Sequence, residues 1–319
     1  MNEKIELAPV VKDLLAEVNQ LYPDGTVMVH FGDQKAGFVR HDQASQQAMP
    51  GALEIMVNDV TAPDYTASHE LLHLLLLLQG FPQIFFQLSL GNATLDEQMM
   101  IMATDLYDVA MHQVVVAVQR KHGLIDEQIE DLYLKGIQQT LTPEGAGDDD
   151  ERTLRLLTLL DALVFYGDHL DRVKDQLAAD YPLALAAAEQ LYAKLTEKPV
   201  DSPFAMRRQI VKLFDLFDAQ LKAWGLPALN NRRFTTLTPA LSARQLRLKV
   251  RQVFEIFHSE MTGRHGEKDV YVGLRRSDEQ NSFVIPAPKP NTPEAFVKLY
   301  DTPVEEFLTS QGIPYILRK

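Results

Sequence analysis

His69-Glu70-Leu71-Leu72-His73, running straight on into Leu74-Leu75-Leu76-Leu77-Leu78, is the stretch on which the reading of this chain turns. The leucines predict a helix, Thr66 or Ser68 is placed to cap its start, and Gly80 followed by Phe81-Pro82 ends it. Residues four apart on a helix lie one turn above each other on the same face, so the imidazoles of His69 and His73 can address one cation. Glu70 stands beside them as a base for water activated by that cation. The pattern arises by accident in roughly one chain in a hundred of this length. Two histidines and a carboxylate are nevertheless costly to bury among leucines without a partner, and a cation compensates all three. The stretch therefore predicts a zinc-dependent hydrolase with His69 and His73 as metal ligands and Glu70 as general base. The blander alternative is a core helix whose histidines are satisfied by hydrogen bonds.

A catalytic zinc takes three protein ligands and keeps one position for water. The longer motif that would supply a third histidine is excluded, because Leu76 and Gln79 stand where it needs glycine and histidine. A carboxylate on the following helix is the other common solution. Glu97, 24 residues after His73, is the expected third ligand, with Asp96, Asp105, Asp108 and His112 as alternatives. Thr94-Leu95-Asp96-Glu97 also has the form of a capping box, in which Glu97 would only tie off a helix start. The helix expected over residues 95–121 is apolar nearly all round, yet carries Glu97, Thr104, Asp108 and His112 along one face. Asp105 and Asp108 would accept the second ring N–H of a ligating histidine and fix its tautomer. As donors to a developing oxyanion, Tyr65, Tyr107, His112, Tyr166 and His169 all qualify.

The rest of the chain sets the frame. Its 319 residues give room for two lobes, and 46% hydrophobic with 24% charged residues is ordinary for a globular protein. A net charge of −13 with no long basic stretch argues against nucleic acid or an anionic membrane as the main partner. The absence of cysteine leaves only His, Asp and Glu to hold a metal. The first residues lack a signal pattern, and the apolar runs at 71–78 and 154–166 are broken by His73, Arg155 and Asp161 short of a membrane span, so a soluble cytoplasmic protein is expected.

Periodicity predicts a helix over 7–21, strands over 26–31, 37–41 and 52–58, then the motif helix. The acidic, Gly-rich residues 142–151 read as a linker, and beyond it helices are expected over 152–178, 181–197, 203–224 and 240–262. A hairpin near 270–285 and two Thr-Pro helix starts, at Thr292 and Thr302, complete the chain. The expected fold is α+β and predominantly helical. It has an N-terminal lobe over 1–141 with a small β-sheet, and a mainly helical lobe over 152–319.

A strand Ala52-Leu53-Glu54-Ile55-Met56-Val57-Asn58 leading into Tyr65-Thr66-Ala67-Ser68-His69-Glu70-Leu71-Leu72-His73 resembles the zincin metallopeptidases. Over residues 5–120 it loosely resembles the ImmA/IrrE-type bacterial proteins, whose strand ending in I-x-x-N precedes a T-x-x-H-E-x-x-H helix. That resemblance implies a zincin-like N-terminal lobe, Zn2+ held by His69, His73 and Asp96 or Glu97, and a strand bordering the cleft that can pair with an extended peptide. Leu72 stands where that family usually has glycine. A cytoplasmic zinc metallopeptidase acting on a peptide or protein is the leading expectation. The alternatives are a non-catalytic binding or regulatory protein on the same scaffold, in which the helical half binds a partner and the metal site is structural or lost, and a hydrolase of small amides with a closed pocket.

Overall fold

The computed structural model describes residues 5–145 and 151–318. It is α+β and predominantly helical, and the chain forms two compact units. One comprises Met1–Gln79 and Met111–Lys194, the other Gly80–Ala110 and Leu195–Lys319. The division differs from the one expected at 142–151, because the chain leaves the first unit after the motif helix and returns along a single long helix. Residues 146–150 of the expected linker lie outside the described residues.

In the first unit, α1 (Pro9–Leu21) buries Val11 and Val18 and is followed by strands β1 (Thr26–Gln34), β2 (Ala44–Met49) and β3 (Ala52–Asp59). The turn between α1 and β1 needs glycine at position 25. Its φ is 133°, and a Cβ there would sit 1.9 Å from the Gly51 carbonyl oxygen. β3 pairs parallel with β1 (Val27 opposite Leu53, Val29 opposite Ile55) and antiparallel with β2, giving the order β1-β3-β2. Alternation along β3 buries Leu53, Ile55 and Val57 on one face. The second strand is not the expected 37–41. Those residues form a loop, and β2 is an exposed run, Ala-Ser-Gln-Gln-Ala-Met, in which no hydrophobic alternation marks a strand. An edge strand paired on one side can be polar throughout, which removes the sequence signal.

The motif helix α2 (Pro63–Leu78) starts one turn earlier than expected, with Pro63 in its first turn and no side-chain cap. It is buried nearly all round. Next come β4 (Ile84–Phe85) and β5 (Leu88–Ser89), then α3 (Ala93–Lys121), which runs from the second unit into the first. Its start is tied by Asn92, whose side chain accepts from Leu95 N at 3.1 Å, rather than by a box between Thr94 and Glu97. Among the described residues it is the one helix long and apolar enough to cross a membrane, but Ala103, Leu106, Val109, Ala110, Met111 and Val115 are buried in the protein, as in a core helix.

The first unit is completed by α4 (Glu127–Thr140), α5 (Arg152–Tyr166), α6 (Lys174–Asp180) and α7 (Pro182–Leu195). The helix expected over 152–178 is interrupted at Gly167, where φ is +50° and a 3₁₀ segment, Gly167–Arg172, begins.

The second unit contains α8 (Pro203–Ala223), α9 (Asn231–Phe234), β6 (Thr236–Leu237), β7 (Ala240–Ser242), α10 (Ala243–Leu246), α11 (Val250–Val253), β8 (Phe254–His258) and β9 (Thr262–Gly263). It continues with β10 (Val270–Arg275), β11 (Asn281–Pro286), α12 (Pro293–Asp301), α13 (Val304–Ser310) and β12 (Ile316–Arg318). The hairpin expected near 270–285 is β10–β11, and β8 adds antiparallel to β10. The single helix expected over 240–262 is therefore replaced by short helices and strands. Phe254 and Ile256 are buried on β8 with Glu255 exposed between them, a period of two that the apolar count alone hides.

Candidate metal centre

His69 and His73 lie one turn apart on α2, with ring centroids 4.7 Å apart. They are joined by two more imidazoles within the same unit. His112, on the returning part of α3, stands 4.8 Å from His69 and 5.1 Å from His73. His41, on the loop after β1, lies 4.5 Å from His69 and 4.3 Å from His112. Ligand atoms of His41, His69 and His112 all fall within 4.8 Å of one another, making this trio a group able to hold a metal ion.

Close packing puts His41 there. Gly136 on α4 faces the Val39 carbonyl oxygen so tightly that a Cβ would come within 2.1 Å of it. Val39 N donates to Leu132 O at 3.0 Å, Ala36 N to Asp59 Oδ2 at 2.6 Å, and Gln43 Nε2 to Phe38 O at 3.0 Å. These bonds fix the loop on both sides of His41.

One carboxylate holds two of the imidazoles. Asp161, in the middle of α5, accepts from His41 Nδ1 at 2.8 Å on Oδ2 and from His112 Nδ1 at 2.6 Å on Oδ1. Tyr133 Oη also donates to Oδ2, at 3.0 Å. Burial pushes the Asp161 carboxyl up, but His112 and His41 outweigh it and hold the group well below the usual carboxylate range. An ionised carboxylate can only accept, so both Nδ1 atoms carry the hydrogen, and a neutral ring then presents its lone pair at Nε2. Burial, reinforced by the neighbouring imidazoles, pushes His69 and His73 well below the usual histidine value; burial lowers His112 as well, against the pull of Asp161.

The helix that carries His69 is held by an amide instead. Gln119 Nε2 donates to Tyr65 O and to Ser68 Oγ, at 3.0 and 2.9 Å, which locks α3 onto α2 beneath the histidine. His69 Nδ1 and Gln119 Oε1 are both buried without a hydrogen-bond partner. Gln119 opposes the lowering of His69, without outweighing burial. Converging imidazoles, one of them with a buried nitrogen left without a partner, form a donor set suited to a borderline divalent cation, and such a cation compensates their burial. The residues present fit a metal ion.

Glu70 is half-buried next to His69, and Gln46 on β2 donates to its Oε2 at 2.9 Å. Burial raises its carboxyl, against the opposing effects of Gln46 and His41.

Glu97, by contrast, is exposed on the first turn of α3 and is not in the metal-capable group; His112, kept as an alternative, is about four turns further along that helix. Asp96 is occupied by Ser89 Oγ (2.6 Å) and Leu90 N (2.7 Å). The carboxylate found on His112 is Asp161. Of the proposed oxyanion donors, Tyr107 bonds Pro82 O, Tyr166 bonds Glu130 O and His169 pairs with Glu130, while Tyr65 lies in the cluster, 2.8 Å from His41 Nε2.

The sequence reading missed His41, which no periodicity marks, and Asp161, which left a usable trace as an acid inside the apolar run 154–166. No family model, curated protein or solved structure matches the chain.

Proposed function

We propose that this protein is a zinc-dependent hydrolase of zincin type, acting in the cytoplasm on peptide or protein substrates. The observation that carries the proposal is the convergence of His69 with His112 and His41 beside Glu70, next to the second motif histidine, His73. His69, His112 and His41 would hold the cation, with His73 as the adjoining imidazole. When bound, the cation would acidify water and polarise a carbonyl.

The chain's own residues account for the remaining work. Asp161 orients two of the imidazoles, and Gln119 supports the helix that carries the third. Glu70, raised by burial, is suited to take a proton from water and return it to a leaving amine. Gln46 orients the Glu70 carboxylate from β2, the outer strand of the sheet, whose residues 45–49 are exposed. An open strand edge tied directly to the base favours an extended peptide over a small metabolite in a closed pocket. The net charge of −13 fits neither a nucleic-acid nor an anionic-membrane partner.

The test is peptide hydrolysis by Glu70→Gln alongside metal analysis. The variant is expected to keep about one zinc per chain while losing activity about a thousandfold. Wild-type protein that carries zinc but cleaves none of a diverse peptide mixture would instead favour a non-catalytic role for the scaffold.

A further inference from the structure

His41 makes two hydrogen bonds of different kinds. Its Nδ1 donates to the Asp161 carboxylate at Oδ2, 2.8 Å away. With one ring proton committed there, the lone pair is on Nε2, which lies 2.8 Å from Tyr65 Oη. Tyr65 is only 2% exposed, one helical turn before His69 on α2, and its phenolic O–H is the donor in this contact. Any cation held by the trio His41, His69 and His112 must use this same His41 lone pair, because the other nitrogen is taken.

We propose that Tyr65 is a gate on the metal centre: its hydroxyl and the metal ion compete for His41 Nε2, and metal loading exchanges the Tyr65–His41 hydrogen bond for a coordination bond. The proposal rests on the metal-centre reading and adds a regulator to it. No proton leaves the site in the exchange. The Tyr65 O–H is released intact, Asp161 keeps His41 oriented throughout, and the freed hydroxyl becomes a donor for an oxygen entering the centre.

The experiment is zinc affinity, measured by competition with a chromophoric chelator, for wild type, Tyr65→Phe and His41→Ala. Melting temperatures with and without zinc are recorded in parallel. Tyr65→Phe removes the competitor and strands the buried lone pair in the metal-free state. It is expected to tighten zinc binding about fivefold and to lower the melting temperature of the metal-free form only. His41→Ala is expected to weaken zinc binding by at least about tenfold. Wild-type protein that takes up no zinc overturns this proposal together with the metal-centre reading. Zinc-binding wild type whose Tyr65→Phe variant binds equally or more weakly, or whose His41→Ala variant binds equally well, overturns the gate alone. Should Tyr65→Phe fail to fold, nuclear magnetic resonance of wild type decides. The slowly exchanging Tyr65 hydroxyl proton of the metal-free protein is then expected to be lost on zinc addition, and its persistence in the loaded protein overturns the gate.

Discussion

Two buried polar clusters in the first unit solve the problem of charge in a core in opposite ways. Around Glu130, which is 1% exposed, charges are matched. Arg120 Nη1 and His169 Nδ1 reach its Oε1 at 2.7 and 2.9 Å, and Arg172 Nε reaches Oε2 at 3.0 Å, while Arg120 also donates to Phe165 O. Around Asp161 the balance is reversed. One carboxylate serves both His41 and His112, His69 Nδ1 has no hydrogen-bond partner, and His69, His73 and His112 are pushed toward the neutral form. The first arrangement sets charge against charge, although Glu130 Oε2 closes no hydrogen bond of good geometry, and it ties α3, α4 and the 3₁₀ segment together. The second leaves a buried ring nitrogen of His69 unused among converging imidazoles, which a cation would compensate.

That contrast predicts separable losses. His69→Ala should reduce zinc affinity by about a thousandfold or more while the fold persists, as read by chelator competition and circular dichroism. Glu130→Gln should do the reverse. Leaving Arg120, Arg172 and His169 around a neutral amide should lower stability to denaturant by about 3 kcal/mol, with zinc content unchanged. If Glu130→Gln also lost zinc, the two clusters would not be the independent devices described here. Asp161→Asn should fall between them, weakening zinc binding about 10- to 100-fold because the tautomers of His41 and His112 are no longer fixed. Gly136→Val should give a smaller loss, about tenfold, by pushing the Val39 loop and His41 away.

The smallest effect concerns pH. Because His69, His73 and His112 titrate below their unfolded value, the unfolded chain binds more protons than the folded one once pH drops below about 6.5, and stability must fall with it. Asp161, depressed in the fold, adds a further loss in the same direction below about pH 4. The metal-free protein should thus melt at a lower temperature at pH 5 than at pH 7, with a shallower dependence in His69→Gln. An unchanged or opposite slope would show that the imidazoles are not held neutral.

The sequence exposed what is local and concealed what is assembled from afar. The leucine run and the four-residue spacing made α2 and the pair His69/His73 legible, because a helix converts spacing into facing directly. The helix over 95–121 and the hairpin near 270–285 were legible for the same reason. The polar edge strand β2 was not, since pairing on one side leaves no apolar alternation. Glu97 was preferred over His112 because the start of the next helix is where a returning chain most simply brings a ligand. Here the return is made by the far end of that helix, held against α2 by Gln119 beneath Tyr65 and Ser68, a contact that no local pattern announces. His41 depends on a glycine contact from α4, nearly a hundred residues away in sequence, so nothing adjacent to it could announce its role.

The central claim, that this imidazole cluster is a metal centre, is tested most directly by X-ray absorption of the zinc-loaded protein. About one zinc per chain is expected, with nitrogen neighbours at about 2.0–2.1 Å and the multiple scattering of several imidazoles, lost in His69→Ala. A chain that takes up no zinc, or zinc whose neighbours are oxygens without imidazole scattering, would contradict it.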